Sequence, residues 1–112
     1  MAVRSQDYQS NLTTTTGTVT IYTVPTGFVA KVDKITLTNY DTSTDCSGTI
    51  IYFGGTADAN IIEPSITIPK NDKVQPSISN HTLGAGTTLI VKKGAGPTAI
   101  NVNLSVTERT QP

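Results

Sequence analysis

Hydrophobic and polar residues alternate with a period of two over most of this chain. The clearest stretch is residues 98–107, "TAINVNLSVT", in which Ile100, Val102, Leu104 and Val106 alternate with polar residues. Because successive side chains of a strand point to opposite faces, this pattern predicts a β-strand with one buried face. No stretch has the apolar spacing of an amphipathic helix. Seven or eight such strands, separated by turn sequences, predict an all-β fold, a single antiparallel β-sandwich with a jelly-roll-like arrangement.

Residues 18–40, "TVTIYTVPTGFVAKVDKITLTNY", predict a hairpin made of a short strand, a turn and a longer strand. In the short strand, Val19 and Ile21 share one face and Tyr22 lies on the other. "VPTG" supplies a proline that fixes φ and a glycine that permits positive φ, as a tight turn requires. The longer strand changes phase, with Phe28, Ala30 and Val32 on one parity and Ile35, Leu37 and Asn39 on the other. The change predicts a β-bulge, or a crossing between sheets, at Asp33-Lys34.

Two further strands can be placed within a sheet from their residues. "TIIYF", residues 49–53, is apolar on both faces, which predicts a position in the interior of a sheet. Residues 62–68 alternate apolar and polar side chains but contain Pro64, which has no N–H to donate to a neighbouring strand. The proline therefore predicts that this strand lies at a sheet edge, or that it begins there.

The chain divides by composition into an arm, a domain and a tail. Residues 1–16 are polar, end in "TTTT", and have Tyr8 and Leu12 as their only sizeable hydrophobic residues after Val3. We therefore expect an extended N-terminal arm outside the core, either disordered or ordered on a neighbouring subunit. Residues 17–107 are predicted to form the β-sandwich domain and residues 108–112 a polar C-terminal tail.

Charge and composition limit the classes of function. Eight basic residues balance eight acidic ones, and charged residues make up 14% of the chain, so neither nucleic acid nor a membrane is an expected partner. Threonine, at 21 of 112 residues, favours strands because its branched side chain suits a pleated sheet. The N-terminus lacks the apolar core of a signal peptide, and no stretch approaches the roughly 20 apolar residues of a membrane span. We therefore expect a soluble protein made in a cytoplasm.

The residues that carry most enzyme chemistry are few. Cys46 is the only cysteine, which excludes an intrachain disulfide, and we expect it to be a small buried hydrophobic residue. His81 is the only histidine, so a catalytic triad would have to include it, and no G-x-S-x-G motif is present. We expect His81 to be an exposed residue of a loop. Asp41, Asp45 and Asp58 are the nearest candidates for a calcium or acid–base site, but their spacing favours Asx-turns. An enzyme is therefore not expected.

No cofactor or glycan is indicated by the remaining motifs. "GAGPT" and "LGAGTT" match neither phosphate-binding glycine motif and are predicted to be turns. Glycosylation sequons occur at Asn11, Asn80 and Asn103. A chain so rich in threonine contains such matches by chance, so they do not indicate glycosylation. A carbohydrate-binding module would need aromatic platforms, for which the candidates are the tyrosines Tyr22, Tyr40 and Tyr52. Ordinary cross-strand packing also explains these residues.

One segment resembles a known family. "IYTVPTGFVAKVDKITLTNYDTS" resembles the pattern "LYTVPAGK", an apolar "TAxVxSI" strand and an "xVxNTS" end, which is found in small structural proteins of tailed bacteriophages. Residues 22–25 and Gly27 match the turn, residues 30–32 and Ile35 match the strand, and Asn39 matches its polar end. Thr26 and Phe28 depart from the usual alanine and lysine. "ITIPKNDKV" and "HTLGAGTTLIV" resemble later segments of such proteins more weakly.

The resemblance implies a non-enzymatic virion protein. We expect a capsid decoration (cement) protein that stabilises the shell through subunit interfaces, with a neck, tail or host-adsorption fibre component as the alternative on the same fold. The expected partners are the major capsid protein or neighbouring virion proteins, and further copies of the chain in a homo-oligomer, of which a trimer is one form. The expected location is the virion, after synthesis in the host cytoplasm. We expect the interface residues to include Arg4, Tyr8, Leu12, Tyr22, Tyr40 and Tyr52.

Overall fold

The computed structural model describes residues 3–13, 17–78 and 81–110. In this part of the chain, nine strands and one 3-10 turn at Asp58–Asn60 are present, and no helix is long and apolar enough to cross a membrane. The strands are β1 (Val3–Leu12), β2 (Val19–Thr23), β3 (Phe28–Asn39), β4 (Cys46–Phe53), β5 (Ile61–Ile68), β6 (Asp72–Val74), β7 (Thr82–Leu83), β8 (Thr88–Lys92) and β9 (Ile100–Thr110).

The strands form two antiparallel sheets that pack as a sandwich. The first sheet has the order β1-β9-β3-β6, with β7 also paired to β3, and the second has the order β2-β8-β4-β5. The predicted all-β sandwich is confirmed. The interior position of β4 and the edge position of β5, which contains Pro64, are also confirmed.

The inward face of β9 forms the centre of the core, as its alternation predicts. Ile100, Val102, Leu104 and Val106 are each at most 1% exposed, and the polar residues between them are half-buried. The strand continues to Thr110, so residues 108–110, predicted as part of a polar tail, belong to the sheet. Glu108 takes the next inward position and is fully buried.

The phase change in β3 is a β-bulge, as predicted. The register of β3 on β9 shifts between Val32 and Lys34, which leaves Asp33 as the extra residue. Val32 and Ile35 are both buried, so the bulge keeps both halves of the strand directed at the core. The Asp33 carboxylate accepts a hydrogen bond of 2.6 Å from the Thr107 hydroxyl of β9.

The predicted hairpin of residues 18–40 is wrong, because its two strands lie in different sheets. β2 pairs with β8 in the second sheet, and β3 pairs with β9 in the first. The turn between them is tight: the Phe28 N–H donates to the Pro25 carbonyl at 3.1 Å, and Gly27 has a φ of 84°. "VPTG" therefore carries the chain across the sandwich.

The predicted faces of β2 also need correction. The register of β2 on β8 shifts between Thr20 and Tyr22, so Ile21 is an extra residue. As a result Ile21 and Tyr22, which were expected on opposite faces, are both buried. Tyr22 joins the core cluster with an exposure of 3%.

The N-terminal segment is not an arm outside the core over the residues that the structure describes. Val3–Leu12 pair with β9 at ten positions, from Val3 opposite Arg109 to Leu12 opposite Ile100. Leu12 is 1% exposed. The edge of β9 supplies the backbone partners, so a strand with few hydrophobic residues can still form. Residues 14–16 and the first two residues of the predicted arm lie outside the described part.

Candidate interaction surface

The outer side of the first sheet is a broad polar surface formed by three long strands. Alternation directs Ile100, Val102 and Leu104 of β9 inward and the residues between them outward. The registers of β1 and β3 on β9 align the outward residues in rows. The five rows, which we call the ladder face, are Val3–Arg109–Val29, Ser5–Thr107–Lys31, Asp7–Ser105–Lys34, Gln9–Asn103–Thr36 and Asn11–Asn101–Thr38.

Hydrogen bonds between strands fix several side chains of the ladder face. Ser105 donates to the Asp7 carboxylate at 2.8 Å, and the Asn11 amide donates to the Asn101 side-chain oxygen at 2.7 Å. At the β3 edge, the Gln75 amide donates to the Thr36 hydroxyl at 3.3 Å. Side chains that are already held lose less conformational entropy on binding, so this surface is partly preorganised.

Two exposed hydrophobic side chains mark the ends of the ladder face. Among the described residues, Val3, at 64%, and Tyr40, at 49%, are the large hydrophobic residues that are exposed. Val3 lies in the first row, and the hydroxyl of Tyr40 accepts a hydrogen bond of 3.0 Å from Asn11 in the fifth row. The four row spacings between these ends amount to about 27 Å, at about 6.8 Å for every second residue of a strand.

Three shallow grooves lie on the ladder face. An apolar groove of about 310 Å³ has Val3, Val29 and Ala30 in its lining, with Lys31 and Arg109 beside them. A second groove of about 370 Å³ lies among the amides of Gln9, Asn11, Asn101 and Asn103. The third, of about 440 Å³, extends across the Asp7 row to Lys34 of β3 and Lys73 of β6. The face is therefore apolar and cationic beside Val3, and its other end is lined mainly by polar amides, with Lys73 of β6 opposite Thr38.

Beneath the Val3 end, a buried carboxylate connects β1 to the rest of the sandwich. The Arg4 Nε atom lies 2.6 Å from Oε1 of Glu108, which has no exposed side-chain area. The Tyr22 hydroxyl donates to the other oxygen, Oε2 of Glu108. The Arg4 guanidinium lies 4.4 Å from the centre of the Phe28 ring, and the rings of Tyr8 and Tyr22 are 4.8 Å apart. Side chains of three strands thus meet at one carboxylate, and Phe28 of a fourth strand packs against Arg4.

This cluster is suited to holding strands together and poorly suited to acid–base chemistry. Burial raises the pKa of Tyr22 well above its usual value, and the hydrogen bond to Glu108 raises it further. Burial and the same carboxylate raise the pKa of Tyr8. Both phenols therefore remain protonated at neutral pH, and neither is an activated nucleophile. Sequence reasoning missed Glu108, although it follows Val106 by two residues and continues the inward alternation of β9.

The predicted interface residues fall into two groups. Leu12, Tyr22 and Tyr52 are at most 7% exposed, so the chain's own core takes their side chains. Arg4 and Tyr8 remain partly accessible beside Glu108, and Tyr40 is exposed. The proposed carbohydrate platform of Tyr22, Tyr40 and Tyr52 does not form in this structure, since two of its three rings are buried.

The other candidate residues have ordinary structural roles. Cys46 is buried, as predicted, with its sulfur 3.3 Å from the Thr49 hydroxyl. His81 is exposed, as predicted, and packs edge-on against Phe53 at 5.4 Å. Asp41 accepts hydrogen bonds from the Ser43 and Thr44 N–H groups, which confirms its predicted turn and holds its pKa below the usual value. The sequon asparagine Asn80 lies outside the described residues.

No combination of these side chains forms a metal site. Within residues 3–13, 17–78 and 81–110, no three histidine, cysteine, aspartate or glutamate side chains are grouped so that they could hold a metal ion. The carboxylates of Asp41 and Asp45 instead accept hydrogen bonds from backbone N–H groups of the loops, including that of Lys70 at 2.9 Å.

Comparison with known proteins shows a shared fold. No protein-family model and no curated protein matches the chain. A chain of the capsid structure of the Helicobacter pylori bacteriophage KHP30 superposes with a TM-score of 0.59 at 12% identity, over 96% of this chain and 89% of that one. A chain of the cyanophage Pam1 capsid asymmetric unit gives 0.52 at 18% identity, over 97% and 85%. A chain of the Bacillus endospore appendages, described as disulfide-linked pili, gives 0.56 at 14% identity, over 98% and 89%. These three structures share with this chain a β-sandwich fold that spans almost its entire length.

Proposed function

We propose that the chain is a non-enzymatic structural protein of a phage virion, and specifically a capsid decoration (cement) protein. The observation that carries the proposal is the likeness in fold, over 96% and 97% of the chain, to chains of two phage capsid structures. The resemblance of residues 21–43 to phage structural proteins supports it from the sequence.

The surface of the sandwich supports the same role. The ladder face is wide, polar and partly preorganised, and it has an exposed hydrophobic residue at each end. Interfaces combine such polar contacts with a few apolar anchors. The partners that we propose are the major capsid protein or neighbouring virion proteins, together with further copies of this chain.

The mechanism is stabilisation by selective binding. A protein that bridges neighbouring capsomers binds the assembled shell and has less affinity for free subunits. At a free concentration of 100 times its dissociation constant, a ligand that binds one state stabilises that state by about 2.7 kcal/mol per site. The effect multiplies over a shell with many equivalent sites, so a small module of this kind can protect a large particle.

The test uses purified virions of the virus that encodes the chain. We expect mass spectrometry to find the protein in the particles, and gel densitometry to give a copy number comparable to that of the major capsid protein. Capsids that lack it should open at lower temperature or after weaker chelation, and added protein should restore their stability. Absence of the chain from virions would reject the proposal.

A second candidate is a component of the neck, tail or host-adsorption fibre. The likeness to the endospore appendage chain, which belongs to a pilus, favours this alternative because the same sandwich can then be a subunit of a filament. Immunogold labelling of virions separates the two. Label over the whole shell supports decoration, whereas label confined to the tail or its vertex supports the alternative.

A further inference from the structure

The ladder face carries an excess of positive charge. By register, four cationic residues point outward from this side of the sheet, namely Lys31, Lys34, Lys73 and Arg109. Three carboxylates lie on or beside the face: Asp7 and Asp33, which already accept hydrogen bonds from Ser105 and Thr107, and Asp72, which lines a groove with Lys73. Four cations against three carboxylates leave one positive charge in excess, whereas the whole chain has eight of each sign and no net charge.

The Val3 end combines this charge with exposed apolar surface. Val3 is 64% exposed and shares the 310 Å³ groove with Val29 and Ala30. Arg109 is exposed beside them, and no ion pair is formed by it within the described part of the chain. An unpaired guanidinium next to an apolar groove is suited to a partner that presents a carboxylate beside an apolar side chain.

From these observations we infer that the ladder face is the docking surface for an acidic protein surface on the virion shell. The proposal rests on the proposed function for the identity of the partner. A carboxylate of the shell pairs with Arg109 while an apolar side chain enters the groove beside Val3. Lys34 and Lys73 meet further acidic groups along the face.

The size of the face is consistent with a weak contact repeated many times. Five rows and three strands cover about 27 Å by about 15 Å, or roughly 400 Å² on each partner, which is below the roughly 1,000 Å² in total that a stable specific interface buries. Such a contact gains strength when several copies, linked as an oligomer, bind a shell together. Complementary charge also speeds the encounter and makes it sensitive to salt.

The experiment compares two variants of the face with one control variant on the same particles. Charge reversals on the face, Lys34→Glu and Arg109→Glu, are measured against Lys92→Glu, which makes the same lysine reversal in β8 of the opposite sheet. Capsids depleted of the protein are incubated with each variant, and binding is quantified by cosedimentation at low and high salt. Thermal melting by circular dichroism checks that each variant is folded, and light scattering gives its oligomeric state.

We expect the two face variants to bind at least about tenfold more weakly than the wild type, and Lys92→Glu to bind as the wild type does. Weaker salt dependence in Lys34→Glu would support the proposal further. Wild-type binding in both face variants would overturn the docking surface and leave the proposed function intact. A change of oligomeric state in the face variants, with unchanged affinity per oligomer, would assign the face to self-association and also overturn it. Failure of the wild type to bind any depleted capsid would instead reject the proposed function itself, and the docking surface with it.

Discussion

The guanidinium of Arg4 and the carboxylate of Glu108 lie 2.6 Å apart and join the first strand of the sandwich to the last. Glu108 is fully buried, whereas the Arg4 side chain is 47% exposed. The carboxylate also receives the Tyr22 hydroxyl from the opposite sheet. A charge taken out of water in this way is stable only if its partners are in place, so this pair adds to the backbone pairing that attaches β1 to β9.

Removal of the cation alone should therefore be costly. We expect Arg4→Ala to lower the free energy of unfolding by about 2 kcal/mol, less than for a fully buried pair because Arg4 is partly solvated. Lys31→Ala is the matched control, since Lys31 pairs with Asp33 at 3.7 Å on the surface and should contribute about 0.5 kcal/mol or less. Urea denaturation of both variants measures the difference.

A double-mutant cycle tests whether the loss of stability in Arg4→Ala comes from the Arg4–Glu108 ion pair. The double variant Arg4→Ala/Glu108→Gln should be more stable than the sum of its two single losses predicts, because the neutral amide no longer needs a cation. Losses that add to within about 0.5 kcal/mol would show that Arg4 acts through packing on Phe28, and would contradict the role of the ion pair.

The Tyr22 hydroxyl should make the stability of the protein sensitive to alkali. Its pKa is raised in the folded state, because burial and the hydrogen bond to Glu108 favour the protonated phenol. The stabilising contribution is therefore complete below the ordinary tyrosine value of 10.0 and is lost as pH rises from there through the folded-state pKa. We expect the free energy of unfolding to fall as pH rises above about 10, and the fall to be smaller in Tyr22→Phe.

Urea denaturation across this pH range gives the measurement. Tyr40→Phe is the control, because the Tyr40 hydroxyl bonds to Asn11 on the surface. An alkaline fall of the same size in Tyr22→Phe as in the wild type would contradict the assignment to Tyr22.

Local pattern was sufficient to predict strands whose own residues supply the core. β9 could be predicted because four hydrophobic residues alternate without exception, and the bulge at Asp33 because the parity of the inward residues changes there. The partner of each strand could not be read from the same pattern. β2 and β3 are joined by a tight turn, yet they pair with β8 and β9, since contacts distant in sequence determine which sheet each strand enters.

The candidate surface was less predictable than the fold. β1 has mostly polar residues, and its place in the sheet comes from backbone bonds to β9, which leave no local hydrophobic signal. Tyr22 was expected to be at an interface, but the extra residue Ile21 turns it inward. The ladder face exists only when three strands are in register, so no single segment reveals it.

The bulge at Asp33 should tolerate deletion of its extra residue. Deletion of Asp33 would leave Val32, Lys34 and Ile35 opposite consecutive residues of β9 in regular alternation, so Val32 and Ile35 would both stay directed at the core. We expect the deletion variant to keep cooperative thermal unfolding by circular dichroism. Asp33→Ala keeps the extra residue and loses only the Thr107 hydrogen bond and the Lys31 ion pair, so it should cost about 1 kcal/mol. Loss of cooperative unfolding in the deletion variant, with cooperative unfolding of Asp33→Ala, would show that the extra residue itself is required.

The glycine at position 94 should be intolerant of any side chain. A Cβ atom there would lie 2.1 Å from the Ser47 carbonyl oxygen, where the backbones of Ser47 and Ala95 exchange two hydrogen bonds of 2.9 Å. Gly94→Ala must therefore push the segment before β9 away from β4, and we expect a loss of about 3 kcal/mol or more in the free energy of unfolding. Gly84→Ala, whose Cβ would meet no atom closer than 4.0 Å, is the control and should change stability by less than about 1 kcal/mol. Urea denaturation compares the two, and near-wild-type stability of Gly94→Ala would contradict the close contact of Gly94 with β4.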